Sequence, residues 1–350
     1  MKQAAFRFLA VAVLAVSLGV GWLWWDYQVF LDAPLEGVAA EGELLEVEPG
    51  SNLTRLGQEL HARGWLRRPG YWLWHARWSG RGDIMVGEYR VTPEDTPRTL
   101  LERLNTGKVA QYSFTIVEGW TFQQLRHAIE QDPVLEQTLV GLPADTVMAQ
   151  LGRPGLHPEG RFLPDTYHFP RGTSDLDFLQ RAMREMDRVL AAEWEARAVG
   201  LPFRDPYEAL VLASIVEKET AVPAERQQIA GVFVRRLERR MRLQSDPTVI
   251  YGMGERYDGN IRRRDLRRDN PYNTYRRHGL PPTPIALPGR EAIYAALHPD
   301  DGDALYFVAR GDGSHYFSST LEEHNEAVIR FQLKGKRRAF SSYREPGQPD

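Results

Sequence analysis

The sequence predicts an α+β protein behind a single membrane-spanning helix. Three observations lead there. Apolar residues recur at helical spacing in several separate stretches, and short alternating runs such as Leu44–Glu48 (LLEVE) and Leu305–Arg310 (LYFVAR) read as strands. Helices and strands follow one another without the regular βαβ alternation of a parallel sheet, and no internal repeat is visible. The chain opens with a long uncharged run. With 350 residues, 42% hydrophobic and 26% charged, it is long enough for two or three domains and ordinary for a globular protein. A formal charge of −3 speaks against a nucleic-acid binder, which is usually strongly basic. Arginine clusters at Arg235–Arg242 and Arg262–Arg268, interleaved with acids and apolar residues. Both clusters read as solvated faces, contact with an anionic polymer or lipid headgroups being the sharper alternative. The absence of cysteine excludes disulfides, thiolate metal sites and a cysteine nucleophile. The nine histidines lie apart, without HExxH or a comparable spacing, so neither metal nor cofactor is expected.

The uncharged run covers Phe8 to Trp25 (FLAVAVLAVSLGVGWLWW), 18 residues with one serine, about the minimum for a span. Lys2 and Arg7 precede it, and Asp26, Asp32, Glu36 and Glu41 follow. The positive-inside rule therefore leaves residues 1–7 as a cytoplasmic tail and puts everything beyond Asp26 on the far side of the membrane. Trp22, Trp24 and Trp25 stand where an interfacial aromatic belt belongs, and no small-x-small cleavage site follows. The segment is thus expected to be an anchor (8–25) and not a cleaved signal peptide. Residues 26–42, acidic with Pro34, Gly37 and Gly42, read as a spacer.

Residues 43–110 form the next expected unit. After the strand at Leu44, Ser51 or Asn52 can cap a helix with Leu53, Leu56 and Leu60 on one face, which Gly64 ends. A second helix follows Pro69 and carries Trp72, Trp74 and Trp78, read as core before sugar platform. GEYRV from Gly87 looks like a returning strand. This βααβ order resembles a LysM-type glycan-binding module. Thr96, Pro97 and Gly107 then cap, start and stop another helix. Residues 111–340 read as the larger mixed domain, with helices at 174–198, 206–220, 223–241 and 321–334, and 341–350 as a tail.

SIVEKET (Ser214–Thr220) sets two glutamates two places apart at the end of an apolar helix. Leu212, Ile215, Val216 and Glu219 share a face at i, i+3, i+4 and i+7, whereas Glu217 points about 160° away. A carboxyl among apolar neighbours is harder to ionise, and a raised pKa is what a proton donor needs. Glu219 is the candidate acid, and Glu217 is expected to be a surface partner for a basic residue. On spacing alone it stays open that Glu219 merely pairs with an arginine at the helix end. LQSDPTVIYG (Leu243–Gly252) puts Gln244, Ser245, Asp246 and Thr248 in an expected turn. NPYNTYRRHGLPPTPIALPG (Asn270–Gly289) and EGRFLPDTYHFP (Glu159–Pro170) are proline-stiffened loops rich in Tyr, Asn and Asp, the residue types a sugar groove uses.

ASIVEKETAVPAER, RLQSDPTVIYG, PYNTYRRHGLPP, FLPDTY and HPDDGDALYFVARGDGSHYFSSTLEEHN together resemble the endolytic murein transglycosylases of the YceG-like family, over nearly the whole chain. Thr283 stands where that resemblance leads one to expect glycine. The resemblance implies a lytic-transglycosylase cleft, peptidoglycan glycan strands as substrate and partner, and 1,6-anhydromuramic ends as products. It implies Glu219, the second glutamate of EKET, as general acid/base, and Thr220 as a second hydroxyl beside it. Motif membership further implies Gln244, Ser245, Asn273, Tyr275 and Tyr167 as groove residues. A location on the outer face of the cytoplasmic membrane makes peptidoglycan synthases candidate partners. A hydrolytic muramidase with Asp246 or Asp165 as base, and a silent anchored peptidoglycan-binding scaffold, remain the alternatives.

Overall fold

The computed structural model describes residues 2–333, so the expected tail at 341–350 lies outside the described residues. The architecture is mixed α+β, and the chain divides into two compact units. The first takes residues up to Tyr112 together with His168–Gly172, and the second takes the remainder.

In the first unit, α1 (Lys2–Asp32) is a helix long and apolar enough to cross a membrane. It does not stop at Trp25. It continues through the first part of the stretch read as spacer, because that turn is amphipathic and has a partner: Tyr27 and Leu31 are buried. The rest of the unit is β1 (Glu43–Val47), α2 (Leu53–Ala62), α3 (Pro69–Trp78), β2 (Gly87–Val91) and α4 (Pro97–Thr106), of which α3 and α4 pack on this turn. The Tyr27 hydroxyl lies 2.6 Å from His75 Nδ1 of α3. The acids that suggested a loop are matched instead, Asp26 with Arg68 and Asp32 with Arg98 at 2.7 Å.

The βααβ order is as the sequence suggests. Strands β1 and β2 pair antiparallel with Leu45 opposite Tyr89, and these side chains, with Val47 and Val91, cover a core of Leu56, Leu60, Trp72, Leu100 and Leu104. Asn52 is the residue that caps α2, its side chain accepting from Arg55 N–H. Thr96 caps α4, and Gly107 ends it at φ 67°, a left-handed conformation that costs glycine nothing. The α3 tryptophans divide: Trp72 is core, whereas Trp74 and Trp78 are exposed.

The second unit contains β3 (Tyr112–Thr115, its first residue in the first unit), α5 (Phe122–Glu130), α6 (Ala144–Gln150), β4 (Thr166–Phe169, its last two residues in the first unit), α7 (Asp175–Ala196), α8 (Pro206–Glu219), α9 (Arg226–Glu238), α10 (Asp246–Met253), α11 (Arg263–Arg267), α12 (Arg290–Leu297), β5 (Tyr306–Ala309), β6 (His315–Ser318) and α13 (Leu321–Phe331). Its centre is α8. Every residue from Ala209 to Val216 is buried, and the helix packs against α7, α9, α10 and α12. A helix apolar on all sides is stable only in such a position. Asp205 starts it by accepting from Glu208 N–H, with Pro206 as the first helical residue. Strands β5 and β6 form a hairpin whose turn holds RGDGS.

Candidate active site

Glu219 is the last helical residue of α8, and the backbone turns extended at Thr220. The chain thus delivers the carboxyl at the end of a rigid, fully packed rod. Burial pushes its pKa up to about 7, against a hydrogen bond from Ser245 and a more remote attraction from the Arg236 guanidinium, while the negative charge of Asp246 adds to the rise. Ser245 Oγ donates to Glu219 Oε1 at 2.5 Å.

Glu217 differs from the expectation of a surface partner. Its side chain is only 6% exposed, accepts from Gly289 N–H at 2.9 Å and lies 4.0 Å from Arg226, which also faces Glu118 at 3.6 Å. The basic partner is present, but the loop before α12 covers the pair. Glu217 therefore fastens that loop to α8.

The residues around Ser245 explain how its hydroxyl is aimed. LQSDPTVIYG is a helix from Asp246 onward, not a turn, with Pro247 in its first turn. Ser245 occupies the N-cap position yet makes no capping bond; its hydroxyl is turned toward Glu219, to which it donates. Gln244 before it is exposed and held at φ 53°, a conformation non-glycine residues rarely adopt. Two threonines hold this geometry. Ser245 N–H donates to Thr274 Oγ1 at 3.0 Å, Thr248 Oγ1 donates to the Ser245 carbonyl at 2.7 Å, and the two threonine hydroxyls are 2.8 Å apart. Gln244 N–H also donates to the Thr274 carbonyl, so the 243–248 and 270–275 segments are stitched together.

Tyr275 donates its hydroxyl to Asp246 Oδ1 at 2.6 Å. Asn273 is buried and tightens its own loop: Nδ2 donates to the carbonyls of Asp265, Leu266 and Arg268, and Oδ1 accepts from Tyr275 N–H. The structure thus brings Glu219, Ser245, Asp246 and Tyr275 together, with Gln244 adjoining and Asn273 behind.

Two groove candidates have their polar groups engaged elsewhere. Tyr167 is buried, donates to the Leu163 carbonyl at 2.8 Å and packs on Phe178. Thr220 is buried, its hydroxyl accepting from Val222 N–H at 2.9 Å and facing Glu225. Asp165 is exposed and accepts from Thr166 N–H. Thr283, at the position expected to be glycine, is not in the left-handed region, and its hydroxyl bonds Tyr272 at 2.9 Å and the Pro284 carbonyl at 2.8 Å.

Arg236 was missed. The reading of its cluster as a solvated face holds for several neighbours, but Arg236 is buried, its guanidinium donating to the carbonyls of Leu305, Arg242 and Leu243. The signal was available: Ile229, Phe233 and Arg236 fall at i, i+4 and i+7, on the apolar stripe of α9.

The YceG-like family matches residues 45–330. An endolytic murein transglycosylase of Bacillus subtilis (strain 168) is 29% identical over 308 residues, 82% of this chain and 84% of that one. One from Streptococcus pneumoniae serotype 2 is 26% identical over 94% of this chain, which spans 65% of that relative's length. A solved YceG-like protein from Listeria monocytogenes is 29% identical and superposes with a TM-score of 0.52, covering 82% of this chain and 99% of its own. With four-fifths of its length matched by that family's model, this chain belongs to the YceG-like family.

Proposed function

We propose that the chain is a membrane-anchored lytic transglycosylase that cuts within peptidoglycan strands, between N-acetylmuramic acid and N-acetylglucosamine, with Glu219 as acid and then base. The names of the relatives support the substrate, and one observation supports the chemistry: a carboxyl whose pKa burial raises to about 7, so that a large share of it carries a proton at neutral pH, met by an aimed hydroxyl. With Oε1 taken by Ser245, Oε2 is left to carry the proton. Glu219 gives that proton to the bridging oxygen as the C1–O bond breaks, which leaves an oxocarbenium-like muramoyl ring. The carboxylate then removes the proton of the C6 hydroxyl, whose oxygen bonds to C1. Acid and base are the same group, no water is consumed, and the nucleophile is already within the substrate. Ser245, Gln244 and Tyr275 border the reacting sugar in this reading. The outer face of the cytoplasmic membrane is where such an enzyme meets nascent strands, and a peptidoglycan synthase is the partner to look for by co-purification.

Asp246 favours a second reading, hydrolysis by a muramidase, since its charge acts on Glu219 and it is exposed to solvent. Mass spectrometry of peptidoglycan digested by the full chain separates the two. Anhydro ends, one water lighter than reducing ends, with turnover lowered by about 10²–10⁴ in Glu219→Gln, are expected. Reducing ends mean the muramidase; no products at all mean a silent scaffold.

A further inference from the structure

Two tryptophans of the LysM-like module are exposed although the module has a complete core without them: Trp74 at 49% and Trp78 at 67%. They are not scattered. Their rings stack on each other, centroids 5.9 Å apart and planes within 5°. Trp78 also meets Trp24, in the last turn of the apolar run, edge-on at 6.4 Å. Trp74 meets Tyr27 at 5.0 Å, and Tyr71, one turn back in α3, meets Phe30 at 5.7 Å.

These contacts define a direction. As α1 advances from Trp24 through Tyr27 to Phe30, α3 retreats from Trp78 through Trp74 to Tyr71, so α3 runs antiparallel along the continuation of α1. Trp24 and Phe30 are separated by about 9 Å along the helix. The C-terminal end of α3 is therefore level with the last turn of the span, where Trp22 and Trp25 are also exposed. Burial and ion pairs hold this arrangement: Tyr27, Leu31 and His75 are buried, and Arg68 and Arg98 hold Asp26 and Asp32. A stacked pair of indoles, amphipathic and level with a spanning helix's own tryptophans, is chemistry suited to the bilayer interface.

We infer that Trp74 and Trp78 form, with Trp24, a second membrane contact, a lipid-facing patch that seats the LysM-like module on the outer leaflet and fixes its tilt. The inference rests on α1 being a membrane anchor. It assigns these tryptophans to lipid and not to a sugar, since they are continuous with the apolar surface of α1.

The chain has no cysteine, so single thiols can be introduced cleanly. Full-length Arg77→Cys, beside Trp78 on α3, and Leu23→Cys, within the span, are labelled with an environment-sensitive fluorophore. Each is reconstituted into vesicles of phosphatidylcholine and phosphatidylglycerol whose acyl chains are brominated close to the headgroup. The expected result is bromolipid quenching and shielding from aqueous iodide at both positions. In Trp74→Ser/Trp78→Ser, shielding at position 77 should be lost several-fold while that at position 23 persists. Iodide quenching without bromolipid quenching at position 77, with position 23 still in lipid, overturns the patch and leaves the anchor standing. Shielding at position 77 that survives the double substitution overturns the role of the tryptophans. Absence of lipid quenching at both positions overturns the anchor and the patch with it.

Discussion

Ser245 sits at the head of α10, where a serine hydroxyl ordinarily satisfies the helix's first N–H groups, yet it donates to Glu219. In the proposed mechanism that bond tunes the acid. Burial holds the Glu219 pKa near 7, and the Ser245 bond, which favours the ionised form, opposes the rise. A reaction begun by proton donation needs the protonated free enzyme, so kcat/KM should fall as pH rises through about 7. In Ser245→Ala the carboxylate loses its donor, the pKa climbs further, and the alkaline limb should move to higher pH. The rate below the limb should drop as well, since the newly formed carboxylate lacks its partner. A pH–rate profile of anhydro-product formation checks both effects. An unmoved limb would mean that Ser245 does not touch Glu219 in the working enzyme.

At the scale of elements, the site depends on loops fastened to rods, and Arg236 of α9 is the main fastener. Its guanidinium satisfies three carbonyls on two segments, 242–243 and Leu305, the first leading directly to Ser245. Arg236→Met keeps the stem's packing but leaves those carbonyls buried without donors, at a cost of on the order of 3 kcal/mol. Urea denaturation should show the loss, and turnover should fall more than stability alone explains, because Ser245 loses its backing. The helices were legible because their caps and stripes are local: Asn52, Thr96, Ser174 and Asp205 all cap as their types suggest. The burial of the Glu219 carboxyl was legible for the same reason, since it continues the buried stripe of α8. What the sequence hid depends on distant partners. Nothing near Glu217 announces that Gly289, 72 residues on, will cover it. Nothing in LQSDP says that its serine will decline to cap. The continuation of α1 to Asp32 was hidden likewise, since Tyr27 and Leu31 are helical on account of α3 and α4.

At the scale of the whole molecule, buried titratable groups pull stability in opposite directions with pH. Glu159, like Glu219, is pushed up to about 7 by burial, in its case despite donors at Phe122 N–H and the Tyr251 hydroxyl. In the unfolded chain both carboxyls ionise near 4.5. Between these values the folded state holds more protons, so each group's contribution declines as pH rises from about 4.5 and levels off above about 7. His75, His157 and His324 work the other way: burial lowers their pKa values, the unfolded state takes up more protons, and stability is lost as pH falls below about 6.5. The raw stability curve therefore mixes two slopes, and a variant must separate them. Glu159→Gln keeps an acceptor for Phe122 N–H and a polar partner for Tyr251 but cannot ionise. Its stability relative to the native chain should grow between about pH 5 and about pH 8, by up to about 3 kcal/mol at one pKa unit per 1.4 kcal/mol. The urea midpoint of both proteins across that range measures it, and the histidine contribution cancels in the difference. A difference that does not vary with pH would mean that Glu159 is already ionised in the folded protein, with Tyr251 and Phe122 N–H compensating its charge.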